Sequence, residues 1–156
     1  MSRKVIVQNN LLLDSVAAMV ASGERVVLLT KGQSMLPFIV GGRDSVELCR
    51  VDGEICVGDI ALAKIGSQRP RYIIHRVIKI EGDVVTLMGD GNLKGREQSL
   101  KSNIVARVTA IIKPHKTINP NSKREQRCAK IWQSLLPIRG YLLAILRRTR
   151  YYSNLL

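Results

Sequence analysis

The chain has 156 residues, the length of one domain or of a domain with an appendage, and at 46% hydrophobic content it can bury a substantial core. Its 25 Lys and Arg against 12 Asp and Glu leave +13 at neutral pH, so anionic partners are expected. Aromatic residues make up only 4%, which excludes an RNA-stacking surface with several exposed rings, and wholesale disorder and collagen-like sequence are excluded as well.

Asn9 and Asn10 are placed to cap a first helix whose Leu12, Val16, Met19 and Val20 share one face, with Gly23 placed to end it. The run 11–21 is broken by Asp14 and Ser15, so neither a signal peptide nor a membrane span is expected there. From Glu24 onward the pattern changes to short Val-, Ile- and Leu-rich runs bounded by Gly, Asp or Pro. Strands are expected at 25–30, 45–51, 60–65, 72–80, 84–88 and 104–112, with Glu81-Gly82-Asp83 as a three-residue hairpin loop. No long helical period interrupts them, so the fold class is mainly β: an antiparallel sheet or partly closed barrel rather than βαβ units.

Residues 113–121 read as a polar, proline-punctuated linker. Beyond it Ser122-x-x-Glu125 spells a capping box, opening a basic amphipathic segment that Pro137 divides. Residues 113–156 carry a net +9 against +4 for residues 1–112, so the tail holds most of the charge excess. Its apolar runs are too short to span a bilayer. Two readings follow: helices lying on an anionic membrane with Trp132 and the tyrosines at headgroup level, or helices packed on a partner or on the sheet. The chain thus divides into an N-terminal helix (1–23), a β domain (24–112), the linker and a C-terminal helical segment (122–156).

Cys49, Cys56 and Cys128 form no CxxC pair, which argues against a disulfide framework or zinc knuckle and for a reducing compartment. No metal-ligand cluster, P-loop or dinucleotide fingerprint is present, so no cofactor is expected. Other residues could carry chemistry. Gly32-Gln33-Ser34-Met35-Leu36-Pro37 presents a serine hydroxyl on a turn whose direction Pro37 fixes, after a glycine that allows close backbone approach. His75 lies in the strand 72–80, and imidazole, with a reference pKa of about 6.5, accepts a proton near neutral pH without special tuning. Arg76, one residue on, should face the other side of the sheet and pair with a carboxylate such as Asp59 or Asp90. Gly89-Asp90-Gly91-Asn92 follows the next strand as a tight polar turn.

Taken in order, four boxes resemble the signal peptidase I and LexA-type serine peptidases: Gly32-Gln33-Ser34-Met35-Leu36-Pro37, Val57-Gly58-Asp59-Ile60, His75-Arg76-Val77-Ile78 and Met88-Gly89-Asp90-Gly91-Asn92. The resemblance covers residues 25–112 and implies a mostly β peptidase fold with Ser34 as nucleophile. Histidine rather than lysine at position 75 matches the archaeal and endoplasmic-reticulum branch, in which the imidazole is the base. Backbone N–H groups at Gly32 and Ser34 would bind the oxyanion, and Pro37, Asp59, Arg76 and Asn92 would support the site. Asp90 is expected to orient His75, giving a Ser-His-Asp set. Glu97 is the alternative third member, and a dyad of Ser34 and His75 a further one. Cleavage after small side chains, read by a sheet edge that pairs with an extended peptide, is also implied.

The expected function is a serine endopeptidase of signal peptidase type acting on leader or signal-like peptides. It is expected to be cytoplasmic and peripheral at the inner membrane face, held by residues 122–156 on an anionic membrane surface or a membrane-anchored partner. The alternative is a catalytically silent binding module on the same scaffold, its tail docked on an anionic surface. A nucleic-acid partner is set aside, because charge alone favours it and no recognition motif gives it a mode.

Overall fold

Runs of β-branched and aliphatic residues fit a half-buried pleat, and the glycines and aspartates between them end it, so the expected strands form close to where the sequence sets them. The computed structural model describes the backbone of residues 4–6 and 10–153 and the side chains of residues 11–149. Among the described residues nine strands make one sheet: β1 (Lys4–Ile6), β2 (Val26–Leu29), β3 (Ser45–Cys49), β4 (Ile60–Ile65), β5 (Arg71–Glu81), β6 (Val84–Met88), β7 (Glu97–Leu100), β8 (Ile104–Ile112) and β9 (Thr117–Ile118). Their order is β1-β2-β3-β8-β4-β5-β6-β7, with β9 beside β8. All pairings are antiparallel except β1 on β2. The sheet curls into a half-barrel, and its far end folds back far enough for Ser99 on β7 to donate to the Lys64 carbonyl on β4 at 2.8 Å.

The curl buries β4 on both faces. Ile60 and Leu62 join Val26, Leu28, Val46 and Leu48 in one core, while Ala61, Ala63 and Ile65 join Ile73, Val77, Val85 and Leu87 in another. Alternation along the strand makes that division, which is why this run has a single polar residue, Lys64.

Helix α1 (Asn10–Ala21) buries Val16 and Val20 against the first core. It ends in a Schellman motif: Glu24 N–H donates to the Met19 carbonyl, Gly23 N–H to Val20, and Gly23 takes φ +92°. The caps expected from Asn9 and from the Asn10 side chain lie outside the described residues. Helix α2 (Lys123–Ser134) starts as the capping box predicts, with Ser122 Oγ accepting from Glu125 N–H at 3.4 Å, and α3 (Arg139–Ser153) follows.

Several expectations change. Glu81 pairs with Val84, so the β5–β6 loop has two residues rather than three, with Gly82 at φ +58° where a II′ turn needs a positive φ. The linker contains β9, and polar β7 had no hydrophobic run to announce it. Trp132 is buried and lies away from any headgroup level: it packs with Leu36 and Leu143 in a third core that also takes in Phe38, Val40 and Leu142. Among the described residues no helix is long and apolar enough to cross a membrane.

Candidate active site

The loop between β2 and β3 is pinned at its base by buried Asp44. Its backbone carbonyl accepts from Thr30 N–H (3.1 Å) and Thr30 Oγ1 (2.8 Å), and its carboxylate from Val40 N–H (2.9 Å), Arg43 Nε (2.7 Å) and Lys113 Nζ (2.8 Å). Burial alone would raise the Asp44 pKa, but the hydrogen bonds from Arg43, Lys113 and Val40 outweigh it and hold the carboxyl below its ordinary range. Higher in the loop Gly32 takes φ +75°, and its carbonyl oxygen lies where a Cβ on Gly41 would come within 1.8 Å. Glycine at 41 is therefore a requirement of the fold. Ser34 follows, half-buried, before a cis Leu36–Pro37 bond.

The turn 89–92 docks directly on this serine. Gly91 N–H donates to the Ser34 carbonyl at 2.7 Å. A Cβ on Gly89 would come within 2.4 Å of that same oxygen, and one on Gly91 within 2.6 Å of the Gln33 carbonyl. Two of the sequence boxes thus meet backbone to backbone, and the glycines of the second are what allow it. Among the described residues no hydrogen bond engages the Ser34 hydroxyl or amide N–H, which leaves that amide available as an oxyanion donor.

His75 on β5 is 6% exposed, and its Nδ1 lies 3.0 Å from Oε2 of Glu97, the first residue of β7. An ionised carboxylate only accepts, so Nδ1 is the donor in this contact, and Nε2 has no hydrogen-bond partner among the described residues. Arg71 closes on the other Glu97 oxygen at 3.7 Å. Ser34, His75, Glu97 and Asn92 line one cleft of about 450 Å³. No hydrogen bond joins the Ser34 hydroxyl to the imidazole; they share the wall of the cleft, an arrangement common before substrate draws the groups together.

Asp90 does not reach this imidazole, and its expected orienting role is corrected. Its carboxylate is fully buried on the opposite side of β5, where Arg76 donates from Nε (2.9 Å) and Nη2 (2.8 Å) and Gln133 from Nε2 (3.3 Å). Neighbouring strand residues point to opposite faces, so a carboxylate committed to Arg76 is turned away from His75. Arg76 also donates to the Gly58 carbonyl at 2.9 Å, and its guanidinium stands 5.1 Å from the Phe38 ring centre. Asp59 takes no part in this pair; it accepts from Cys56 N–H (2.8 Å) and Arg107 Nε (3.1 Å) and fixes the turn before β4. Asn92 N–H closes the 89–92 turn on the Gly89 carbonyl at 3.0 Å.

Sequence reasoning gave no hint of Arg139. This residue of the basic tail is fully buried, donating to the Asn92 carbonyl (3.0 Å), the Trp132 carbonyl (3.1 Å) and Gln133 Oε1 (3.1 Å). Burial pulls its pKa below the usual arginine range, and nearby Asp90 opposes that shift. With Trp132 Nε1 donating to the Asp90 carbonyl at 2.7 Å, α2 and α3 brace the turn that holds Ser34. Tyr72, also on the cleft, is pushed up to about 12 by burial and by its hydrogen bond to Asp14, so it presents a neutral phenol. Cys49 contacts Glu47 and Thr109, away from the cleft. No protein-family model matches this chain, and no curated protein matches it.

Proposed function

We propose that the protein is a serine endopeptidase with the signal peptidase and LexA-type fold, acting on leader or signal-like peptides. The observation that carries this reading is the shared cleft, in which the Ser34 hydroxyl is unengaged and His75 is held by Glu97 through Nδ1, with Nε2 free. In the mechanism Ser34 Oγ attacks the peptide carbonyl as His75 Nε2 takes its proton, and the imidazolium returns that proton to the departing amine. Water then hydrolyses the acyl-enzyme by the same base. Glu97 orients the imidazole and stabilises its charged form. The Ser34 N–H, without a hydrogen-bond partner among the described residues, serves the oxyanion in this reading, a donor worth about 3–4 kcal/mol in acyl-transfer sites.

A serine-directed fluorophosphonate is expected to label wild-type protein at Ser34 and to leave Ser34→Ala unlabelled. Mass spectrometry of leader-like peptides is expected to show cuts that the variant does not make. Equal cleavage by Ser34→Ala removes the serine from the mechanism. The absence of a formed Ser34–His75 hydrogen bond favours the second reading, a silent peptidase-like binding module, and probe labelling counts against it.

Peripheral attachment to the cytoplasmic face of a membrane belongs to the same proposal. Ile131 on α2, Ile138 in the turn that follows, and Tyr141 and Ile145 on α3 are exposed among lysines and arginines, the pattern of a helix pair that rests on anionic lipid, and the three free cysteines suit a reducing compartment. Co-sedimentation with phosphatidylserine vesicles but not with neutral ones is the expected result.

A further inference from the structure

We infer that Asn92 is a further catalytic residue, whose carboxamide Nδ2 donates to the oxyanion that forms when Ser34 attacks, beside the Ser34 N–H. This rests on the hydrolase reading above and adds a named donor to its transition state. As Ser34 Oγ bonds to the peptide carbonyl carbon, the π pair of that carbonyl moves onto its oxygen and His75 Nε2 takes the hydroxyl proton. The pair returns when the C–N bond breaks and the amine leaves with that proton. Between those events the oxygen is negatively charged, and donors fixed in advance at its position lower the barrier without having to reorganise.

Three observations single out Asn92. It lines the cleft together with Ser34 and His75. Its carboxamide stands beside the backbone of the serine: a Cβ on Gly89 would come within 2.8 Å of Asn92 Nδ2 and within 2.4 Å of the Ser34 carbonyl oxygen. Its main chain is held on both sides while its side chain is unspent. The N–H donates to the Gly89 carbonyl at 3.0 Å, and the carbonyl accepts at 3.0 Å from Nη1 of Arg139, which is itself fully buried. Among the described residues no hydrogen bond engages the carboxamide. An asparagine that only shaped the turn would bond its side chain back to local backbone. Here the main chain closes the turn alone, and the half-buried side chain is fixed at its root and free at its tip.

The other side-chain donors on the wall are committed elsewhere or poorly held. Thr30 Oγ1 donates to the Asp44 carbonyl, the Tyr72 hydroxyl to Asp14, and Arg71 closes on Glu97. Lys31 is exposed on a long stem with no fixed direction.

The test uses the full chain and a leader-like peptide that wild type cuts. Asn92→Ala removes the donor but no hydrogen bond of the turn, so kcat should fall about 10²–10³-fold with little change in KM and an unchanged thermal midpoint. Asn92→Asp, of the same shape but with no amide donor, should lose at least as much, and it carries the test if the alanine variant fails to fold. Fluorophosphonate labelling of Ser34 should slow in both, because the phosphonyl oxygen takes the place of the oxyanion. Turnover and labelling equal to wild type overturn the inference and leave the hydrolase reading standing. A raised KM at unchanged kcat also overturns it, since the contact would then be made equally in the ground state. So does a loss of activity that tracks a lowered thermal midpoint, which would make Asn92 purely structural. Wild type that neither cuts leader-like peptides nor takes the probe overturns the hydrolase reading and this inference with it.

Discussion

Two acid–base pairs are built on neighbouring residues of β5, and in the proposed hydrolase the contrast between them separates support from chemistry. Arg76 and Asp90 are both almost completely shielded, and several hydrogen bonds from arginine, glutamine and indole fasten the aspartate and its backbone. His75 and Glu97, both lining the cleft, meet through one contact, with the Glu97 side chain 19% exposed and one imidazole nitrogen without a partner among the described residues. A saturated pair has nothing left to offer a substrate. The half-used pair leaves Nε2 without a hydrogen-bond partner among the described residues, on a cleft that Ser34 also lines, and the proposed proton transfer requires that.

The contrast can be broken or sharpened by substitution. The largest effect is expected from His75→Ala, which should abolish peptide turnover while the cooperative thermal transition persists; unchanged turnover in the purified variant would refute the base assignment. Glu97→Gln should follow, with kcat reduced about 10²–10⁴-fold and little change in KM, because the tautomer is no longer fixed by a charged acceptor. Asp90→Ala should act in the opposite sense. Leaving Arg76 buried and unpaired costs about 3–5 kcal/mol in a denaturant titration, and a joint Arg76→Met, Asp90→Leu variant should recover much of it. If Asp90→Ala instead abolished turnover at unchanged stability, the division between the two pairs would fail.

Smaller effects test the surroundings. Trp132→Phe removes the indole donor to the Asp90 carbonyl and should cost about 1 kcal/mol in the same titration. For Asp44, whose folded pKa is lowered, the stabilising contribution is present above the ordinary carboxyl range and disappears as pH falls through the folded value. The stability difference between wild type and Asp44→Asn should therefore shrink on acidification; a gap constant down to strongly acidic pH would contradict the assigned shift.

Much of the sheet was legible because its strands carry their burial in their composition: 60–65, 84–88 and 104–112 match the observed strands in extent. β7 was not, since Glu97-Gln98-Ser99-Leu100 buries only Ser99, and its place is set by pairing with β6 rather than by its own hydrophobicity. The same absence hid the partner of His75. Glu97 stood only as an alternative, while Asp90 drew the assignment because it belongs to the Gly-Asp-Gly-Asn box on which the resemblance rests. Strand alternation did place Arg76 and His75 on opposite faces, and the Arg76–Asp90 pairing follows from it. In the tail, helical spacing showed an apolar face but not what covers it, so a bilayer and packing on the sheet stood as alternatives for Trp132, which closes a core over Leu36.

The grip of the indole and of Arg139 on the turn beneath the serine sets a limit on dissection. A chain cut short at residue 121 would keep every described strand yet lose the outer bolts of the Ser34 corner. Shortened versions prepared for crystallography or engineering would then look well formed by circular dichroism while that corner sat slack, so a failed labelling or cleavage assay in such a fragment would speak about its missing end and not about the proposed chemistry of the cleft.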